Sequence, residues 1–286
     1  MNRIIALLAI TVAASLFAFP ARAQLLDEPQ VSDNFYEKVN TKDREPRPYV
    51  HVREADVFIK WRVWRVIDLR MKMNQYLYYP TDTIQDRISL MNLIMEGLQN
   101  GVIVPYDPIN DYFSKATTYE EFIQQNTHTD TIMVENLDDP EGGLIQKVTT
   151  TSFQTHNVKM FRLKEDWFID KQRGVRDIRI LGMAPVIQVF DENGEFKGNQ
   201  TLFWLYYPSL RSTFAKREVF NSHNSAMRQS YDDVFAWNRY FQSYIYKIDN
   251  LQDRQISAYT GGINALRESD RIEEMLFEIE HDLWVY

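Results

Sequence analysis

The sequence predicts an α+β fold, in which N-terminal helices, a central antiparallel sheet and C-terminal helices follow an extended N-terminal arm. Three observations carry this prediction. Helical spacing of apolar residues marks much of residues 54–125, β-branched and aromatic runs fill residues 129–207, and helical spacing returns after Pro208. Because helical and strand segments are segregated along the chain, they favour α+β over an alternating α/β fold.

The first 23 residues predict a cleaved secretory signal. They begin with a short positive stretch, MNR, continue with an almost wholly apolar run over residues 4–19, and end in Ala21-Arg22-Ala23, which has the form of a signal peptidase site. The alternative is an uncleaved membrane anchor, but a spanning helix needs about 20 apolar residues, more than this run supplies. We therefore expect an exported protein.

Composition limits the classes of partner. The chain has 286 residues, no cysteine and a formal net charge of -8. Without cysteine it offers no disulfide, no thiol nucleophile and no acceptor for a lipoprotein lipid, so we expect membrane contact only through partners. Cleavage of the signal removes Arg3 and Arg22 from the 32 basic residues and none of the 40 acidic ones. This negative balance argues against nucleic acid and anionic lipid as main partners.

Residues 24–53 predict the extended arm. They are polar, contain Pro29, Pro46 and Pro48, and show little apolar periodicity, so they cannot bury enough apolar surface to fold alone. Two interpretations stay open, a leader without fixed structure and an arm that docks on a neighbouring subunit. Residues 54–286 then predict one domain.

Three helices are predicted before the sheet. The first segment contains neither glycine nor proline, and its apolar residues follow steps of three and four from Ile59 to Leu77, although residues 69–73 alternate as in a strand. Asn100-Gly101 supplies a stop for the second helix. The predicted helices cover residues 54–77, 84–99 and 119–125.

The central sheet is predicted from runs rich in β-branched and aromatic residues, with Asn193-Gly194 as one turn signal between them. The runs are VTTTSF, VKMFRL, DWFID, VRDIRIL, PVIQVF and TLFWLYY. After Pro208, helical spacing returns in three segments, and Gly261-Gly262 breaks the chain between the last two. These segments are SLRSTFAKREVF, DDVFAWNRYFQSYIYKI and ESDRIEEMLFEIEHDL.

The tetrapeptide LYYP occurs twice, at residues 77–80 and 205–208. The residues before the two copies share no pattern, so the repeat does not indicate an internal duplication. The first copy is predicted to end a helix and the second a strand, because proline disfavours helical geometry in the preceding residue and cannot donate to a ladder.

Motifs for common enzyme chemistry are absent from the sequence: it has no GxGxxG, GxxxxGK[ST], GxSxG or HExxH. Glu278 and His281 have the spacing of a di-iron ligand pair, but no second copy exists, so a surface pair is favoured. The acidic pairs at residues 120–121, 232–233 and 273–274 are predicted to lie in first turns or on exposed faces of helices. DENG at 191–194 is predicted to be a hairpin turn and not a calcium loop. We therefore predict no catalytic, cofactor or metal residues.

Basic residues interleave with tryptophans over residues 60–72. On a helical period Arg62, Arg65 and Lys72 share one side. A solvated helix edge and a face for an acidic protein partner are both open interpretations. From this segment we take Trp61, Trp64 and Arg65 as the candidate partner-binding residues.

Four stretches resemble the GldN/PorN family of type IX secretion and gliding motility. The first departs from the REK expected in the family, because it reads Arg70-Met71-Lys72. The stretches are VWRVIDLRMKMN at 63–74, KEDWFIDKQRGVRDIRILGMAPV at 164–186, LFWLYYPSLRSTFAKREVFNSHNSAMRQSYDDVFAWNRYFQSYIYK at 202–247 and EIEHDLWVY at 278–286.

The resemblance implies a non-enzymatic periplasmic component that self-associates in a ring with a GldK/PorK-like lipoprotein beneath the outer membrane, contacted by a motor-linked GldM/PorM-like protein. Such a ring requires two different surfaces on each copy. The alternative is an exported enzyme of unrecognised type, for example a carbohydrate-active one, since scattered tryptophan, tyrosine and carboxylates also suit sugar clefts.

Overall fold

The computed structural model of the chain describes residues 40–135, 144–151, 153–191 and 194–282. The signal predicted at 1–23 and most of the predicted arm lie outside these residues. Within them the α+β prediction is confirmed. The strands are β1 Val57–Asp68, β2 Pro105–Tyr106, β3 His128–Glu135, β4 Leu144–Thr151, β5 Val158–Asp170, β6 Val175–Phe190, β7 Phe196–Thr201, β8 Trp204–Tyr206, β9 Glu218–Val219, β10 Gln229–Ser230 and β11 Tyr244–Ile248.

The helices of the described residues are short apart from the last. Residues from Thr41 onward form one compact unit. The helices are α1 Gln75–Tyr78, α2 Leu90–Gln99, α3 Tyr119–Gln125, α4 Tyr207–Lys216, a π-helix at Asp233–Asn238 and α5 Ile263–Asp282, with 3-10 turns at Glu54–Asp56, Lys72–Asn74, Thr155–Asn157 and Ile256–Ala258.

The main sheet has seven antiparallel strands in the order β11-β1-β5-β6-β8-β2, with β7 also paired to β6. Its centre is the long β1-β5-β6 ladder. The predicted strand region thus contains most of this sheet, but β1, β2 and β11 come from outside it. Strands β3 and β4 form a separate two-stranded sheet, and so do β9 and β10.

The helix predicted over residues 54–77 is wrong, because half of the segment is strand β1. Its apolar steps of three and four mimic a helix. The β-branched and aromatic residues of VFIKWRVWRVID instead pair with β5 along almost the whole strand and with β11 along part of it. Only Gln75–Tyr78, ending inside the first LYYP, is α-helical there.

The helices predicted at 84–99 and 119–125 are both present. Helix α3 has the predicted bounds, while α2 begins later than predicted, at Leu90, where the Ser89 side chain accepts a hydrogen bond from the Asn92 backbone. The second LYYP does end strand β8, and Pro208 then lies in the first turn of α4.

The helix predicted over residues 232–248 is wrong. It is divided into the π-helix and strand β11, with Arg239 between them in the left-handed region at φ 48°. The predicted break at Gly261-Gly262 is confirmed: Gly262 has φ +60° and α5 begins at the next residue.

All the described α-helices pack on one face of the main sheet. Helices α1 to α4 and the π-helix share the larger core with sheet residues such as Phe161, Leu163 and Leu205. Helix α5 covers a smaller cluster that contains Val63 and Trp167. We call the opposite face the open face. Its two apolar clusters consist of residues from the sheet and from the loop at 107–116, which we call the clamp loop.

Candidate interaction surface

Strand β1 separates the three predicted partner-binding residues onto two faces of the sheet. Successive side chains of a strand point to opposite sides, so Trp61 and Arg65 lie on the helix-covered face and Trp64 lies on the open face. Their neighbours agree with this, since Trp61 packs on the cluster beneath α5 and Trp64 packs with Ala184 and Trp204.

Arg65 is buried and has partners within the chain. Its Nε donates to Ser243 Oγ at 2.8 Å, and its Nη1 and Nη2 lie 3.2 Å from Glu273 Oε1 on helix α5. The guanidinium also lies 5.6 Å from the ring centroid of Trp167. Arg65 therefore joins the sheet to the last helix.

Arg62 belongs to the open face, so the prediction that Arg62 and Arg65 share one side is wrong. Its Nε donates to Asp166 Oδ1 at 2.8 Å, and Lys60 Nζ lies 2.8 Å from the other carboxylate oxygen. Burial alone would raise the pKa of Asp166, but the hydrogen bonds from Arg62 and Lys60 outweigh burial and hold that pKa below its ordinary value. These basic residues are thus paired within the sheet.

Trp64 and Lys164 are held under the clamp loop by one carboxylate. Trp64 Nε1 donates to Asp111 Oδ2 at 2.7 Å, and Lys164 Nζ lies 3.1 Å from the same oxygen and donates to the Asp111 carbonyl at 2.8 Å. Lys164 is 3% exposed. A buried ammonium requires a countercharge, so Asp111 fixes the clamp loop to the open face.

Phe113 completes this contact by lying over a glycine. A Cβ at Gly182 would meet the Phe113 ring at 2.7 Å, which leaves no space for a side chain there. The same ring makes edge contacts with Tyr106 and Tyr206 at 5.5 Å. The outer side of the clamp loop carries Ile109 and Tyr112, which are 87% and 73% exposed. It is therefore an apolar protrusion on the open face.

The final part of the predicted arm docks on its own domain. Tyr49 is sandwiched between two guanidinium groups, with the central carbons of Arg179 and Arg211 each 4.0 Å from its ring centroid. Arg211 in turn makes two hydrogen bonds to buried Asp232, at 2.8 and 2.9 Å. Residues 44–50, which we call the strap, are thereby fixed to α4 and β6. Whether residues upstream contact another subunit stays a prediction.

The predicted acidic pairs have different environments. Glu121 lies in the first turn of α3 and forms a capping box with Thr118, in agreement with the prediction. Asp232 lies in the first turn of the helical segment, as predicted, but it is 2% exposed and therefore not on an exposed face. Glu278 and His281 are exposed on α5, as predicted. DENG lies between β6 and β7, and the Gly194 N–H donates to the Asp191 carbonyl there.

The described residues contain no group of three or more histidine, aspartate or glutamate side chains that could hold a metal ion. An open depression beside α3 is lined by Tyr119, Glu120, Ile123, Gln124 and Thr127, and Glu120 is the only carboxylate in that lining.

In the same described part of the chain, no helix combines the length and apolar character needed to cross a bilayer.

Sequence reasoning missed the residues that organise these surfaces, namely Tyr49, Asp111, Phe113, Glu165, Arg211 and Arg239. No local signal marks them, because their partners are distant in the chain. Asp111 and Trp64 are 47 positions apart, and Arg239 and Glu165 are 74 positions apart.

The family model for the gliding motility associated protein GldN matches residues 52–285. No curated protein matches this chain. The match covers most of the chain, including the sheet, the clamp loop and α5. The chain therefore belongs to the GldN family, which confirms the resemblance found in the four sequence stretches.

Proposed function

We propose that this GldN-family chain is a non-enzymatic structural component of the type IX secretion and gliding motility apparatus. In this proposal it assembles with a GldK/PorK-like outer-membrane lipoprotein into a periplasmic ring that supports secretion, and a GldM/PorM-like protein contacts that ring. The observation that carries the proposal is the family match over residues 52–285.

The state of the buried charges supports a structural role. Glu165 pairs with Arg239, Lys164 with Asp111, and Asp232 with Arg211. Each of these charges is neutralised by a group from a different segment, so it stabilises the tertiary structure. A carboxylate pair with separated roles in an accessible cleft, which the enzyme alternative requires, is not observed among the described residues.

The exposed apolar residues support an interaction role. Ile109 and Tyr112 on the clamp loop, and Leu266 and Phe277 on α5, are each more than half exposed. Aromatic and aliphatic residues of this kind supply the anchors of protein interfaces. In this proposal the assembly lies beneath the outer membrane, because the signal predicted at 1–23 would export the chain and the lipoprotein partner would attach it.

The native complex tests this function. We would extract it from the cell envelope in mild detergent and determine its mass and its protein partners together. A large assembly that contains the lipoprotein is the expected result. A monomer without partners would contradict the proposal and favour the enzyme alternative.

Substitution of the exposed pair on α5 gives a second test. Glu278→Ala and His281→Ala should leave secretion unchanged, since neither residue is assigned a chemical role. Loss of secretion in a fully assembled complex would contradict a purely structural function.

A further inference from the structure

Two short strands of the main sheet share one neighbour, and one of them has an unpaired outer edge among the described residues. Strands β7 and β8 both pair with β6, on the side opposite β5. Strand β2 lies beyond β8, where Pro105 and Tyr106 face Leu205 and Trp204. Among the described strands, none lies beyond β7. Within the described residues the outer backbone edge of β7 is therefore unpaired, and we call it the open edge.

This open edge is accessible to another chain. Phe196, Lys197 and Asn199 on β7 are exposed, and a Cβ built at Gly198 meets no atom within 4 Å. Phe196 and its neighbour Phe190 are each 55% exposed, with ring centroids 6.1 Å apart. An exposed edge beside an apolar pair is a template for an added strand.

Strands β3 and β4 form the second incomplete sheet. They pair in register over eight positions, from His128 opposite Thr151 to Glu135 opposite Leu144. Within the described residues this sheet contains no third strand. An isolated two-stranded hairpin is at best marginally stable in water, so an added strand would stabilise it.

We propose that β3 of one copy of this chain pairs with the open edge of β7 in a second copy. This inference rests on the proposed function and names the contact by which copies associate. Charge selects the pairing: the sequence of β3 contains Asp130 and Glu135 and no lysine or arginine, whereas β7 contains Lys197 and no acid. A lysine on an edge strand disfavours pairing with most other strands. A strand with acidic residues can form a cross-strand ion pair with that lysine.

The contact uses two different surfaces of the same chain. When the two surfaces bind different neighbours the contact is heterologous, and each copy that binds one neighbour through β3 still offers β7 to another. Repetition of one such contact produces a closed ring or an open filament, depending on the rotation between copies. A twofold dimer built from this contact would instead pair β3 of each copy with β7 of the other at the same time, which leaves no free edge and gives no higher oligomers.

The absence of cysteine makes cross-linking a direct test. We would prepare Thr131→Cys and Asn199→Cys as separate full-length proteins, exported and purified from the envelope, and treat their mixture with a bismaleimide that spans about 10 Å, roughly two strand spacings. A mixed dimer is expected, and the doubly substituted chain should give a ladder of higher oligomers. Asp270→Cys in place of Asn199→Cys is the control, since exposed Asp270 lies on α5, the helix that packs against β11.

Charge exchange tests the same contact without a cross-linker. Lys197→Glu should raise the dissociation constant for self-association, measured by analytical ultracentrifugation, by about five-fold. Asp130→Lys on the other copy should restore most of the loss. Equal association by wild type and Lys197→Glu, or cross-links confined to 131–131 pairs, would overturn the inference.

These experiments distinguish failure of the β3–β7 contact from failure of the proposed function. If the native complex is large and contains the lipoprotein while residues 131 and 199 do not cross-link, the β3–β7 contact is wrong and the structural function stands. If the native protein is a monomer without partners, the proposed function itself fails.

Discussion

The carboxylate of Glu165 accepts hydrogen bonds from Arg239 Nη2 at 2.8 and 3.0 Å, in a position where the glutamate is 0% exposed. Trp167 Nε1 donates to the same carboxylate at 2.8 Å. The pair joins the central strand β5 to the turn between the π-helix and β11. It thereby fixes the C-terminal part of the chain to the centre of the sheet.

Removal of Arg239 should destabilise the domain strongly. Arg239→Ala leaves the Glu165 carboxylate buried without its countercharge, which costs about 3–5 kcal/mol in the free energy of unfolding. Urea denaturation measures this loss. Glu165→Gln combined with Arg239→Ala should recover part of it, because the uncompensated charge is gone.

The matched control for that pair is Arg267→Ala on helix α5. Arg267 is an exposed arginine, so its removal should change the free energy of unfolding by less than about 0.5 kcal/mol. Equal stability of Arg239→Ala and Arg267→Ala would show that the buried pair is unimportant.

Because of Asp111, the stability of the clamp loop should fall as the pH is lowered through the acidic range. Burial raises its pKa, but hydrogen bonds from Trp64 and Lys164 outweigh burial, so the folded-state pKa lies below the ordinary value of about 3.9. A carboxylate with a lowered pKa stabilises the fold fully above its unfolded pKa. That contribution is lost as the pH falls through the lowered folded value.

Comparison of wild type with Asp111→Asn isolates this effect. At pH 7 the variant should be less stable by about 3 kcal/mol, because buried Lys164 loses its countercharge, and the difference should shrink below about pH 4. Denaturant unfolding at several pH values from 7 to below 4 measures the stability difference at pH 7 and its decrease at low pH. Asp270→Asn on the exposed side of α5 is the control, and a similar pH dependence in that variant would contradict the assignment to Asp111.

Tyr49 should control the release of the strap. Tyr49→Ala removes two cation–π contacts worth together about 1–2 kcal/mol, so local opening should increase about 5- to 30-fold. Limited trypsin digestion after Arg44 reports that opening, since the Arg47–Pro48 bond resists trypsin. Tyr49→Phe keeps the ring between the two guanidinium groups and should digest like wild type, whereas equal digestion of both variants would contradict the sandwich.

Trp64 should behave as a core residue in the isolated chain. It is 5% exposed, so Trp64→Ala should lower the free energy of unfolding by about 3–5 kcal/mol. Trp61 is partly buried, so Trp61→Ala should lower the free energy of unfolding by less than Trp64→Ala does. Normal folding of Trp64→Ala with loss of lipoprotein co-purification would instead support the partner-binding prediction for this residue.

Local signals predicted some elements well. The start of α3 follows from its capping box, which lies within four consecutive residues, and the break before α5 follows from Gly261-Gly262, where Gly262 adopts a positive φ. The turn after β6 likewise follows from the Asn193-Gly194 signal, although the run FKGNQT that forms β7 was not among the predicted strands. Each of these features depends on neighbours in sequence, so its information is present locally.

Strand β1 and residues 232–248 were mispredicted for the opposite reason. Their apolar spacing is compatible with a helix, and the alternative becomes favourable only when distant partners supply the ladder. Val63 pairs with Glu165 on one side and with Ile248 on the other. Burial of Asp232 depends similarly on Arg211 and on the strap.

The sequence by itself determined the α+β class, the family and the lack of cysteine, because these properties depend on composition, local periodicity and recognisable sequence blocks. Tertiary structure alone decided which face each β1 side chain occupies, how Asp111 and Tyr49 fix the clamp loop and the strap, and which strand edge is left open. These features arise from contacts between segments far apart in the chain, and such contacts form only when the sheet assembles.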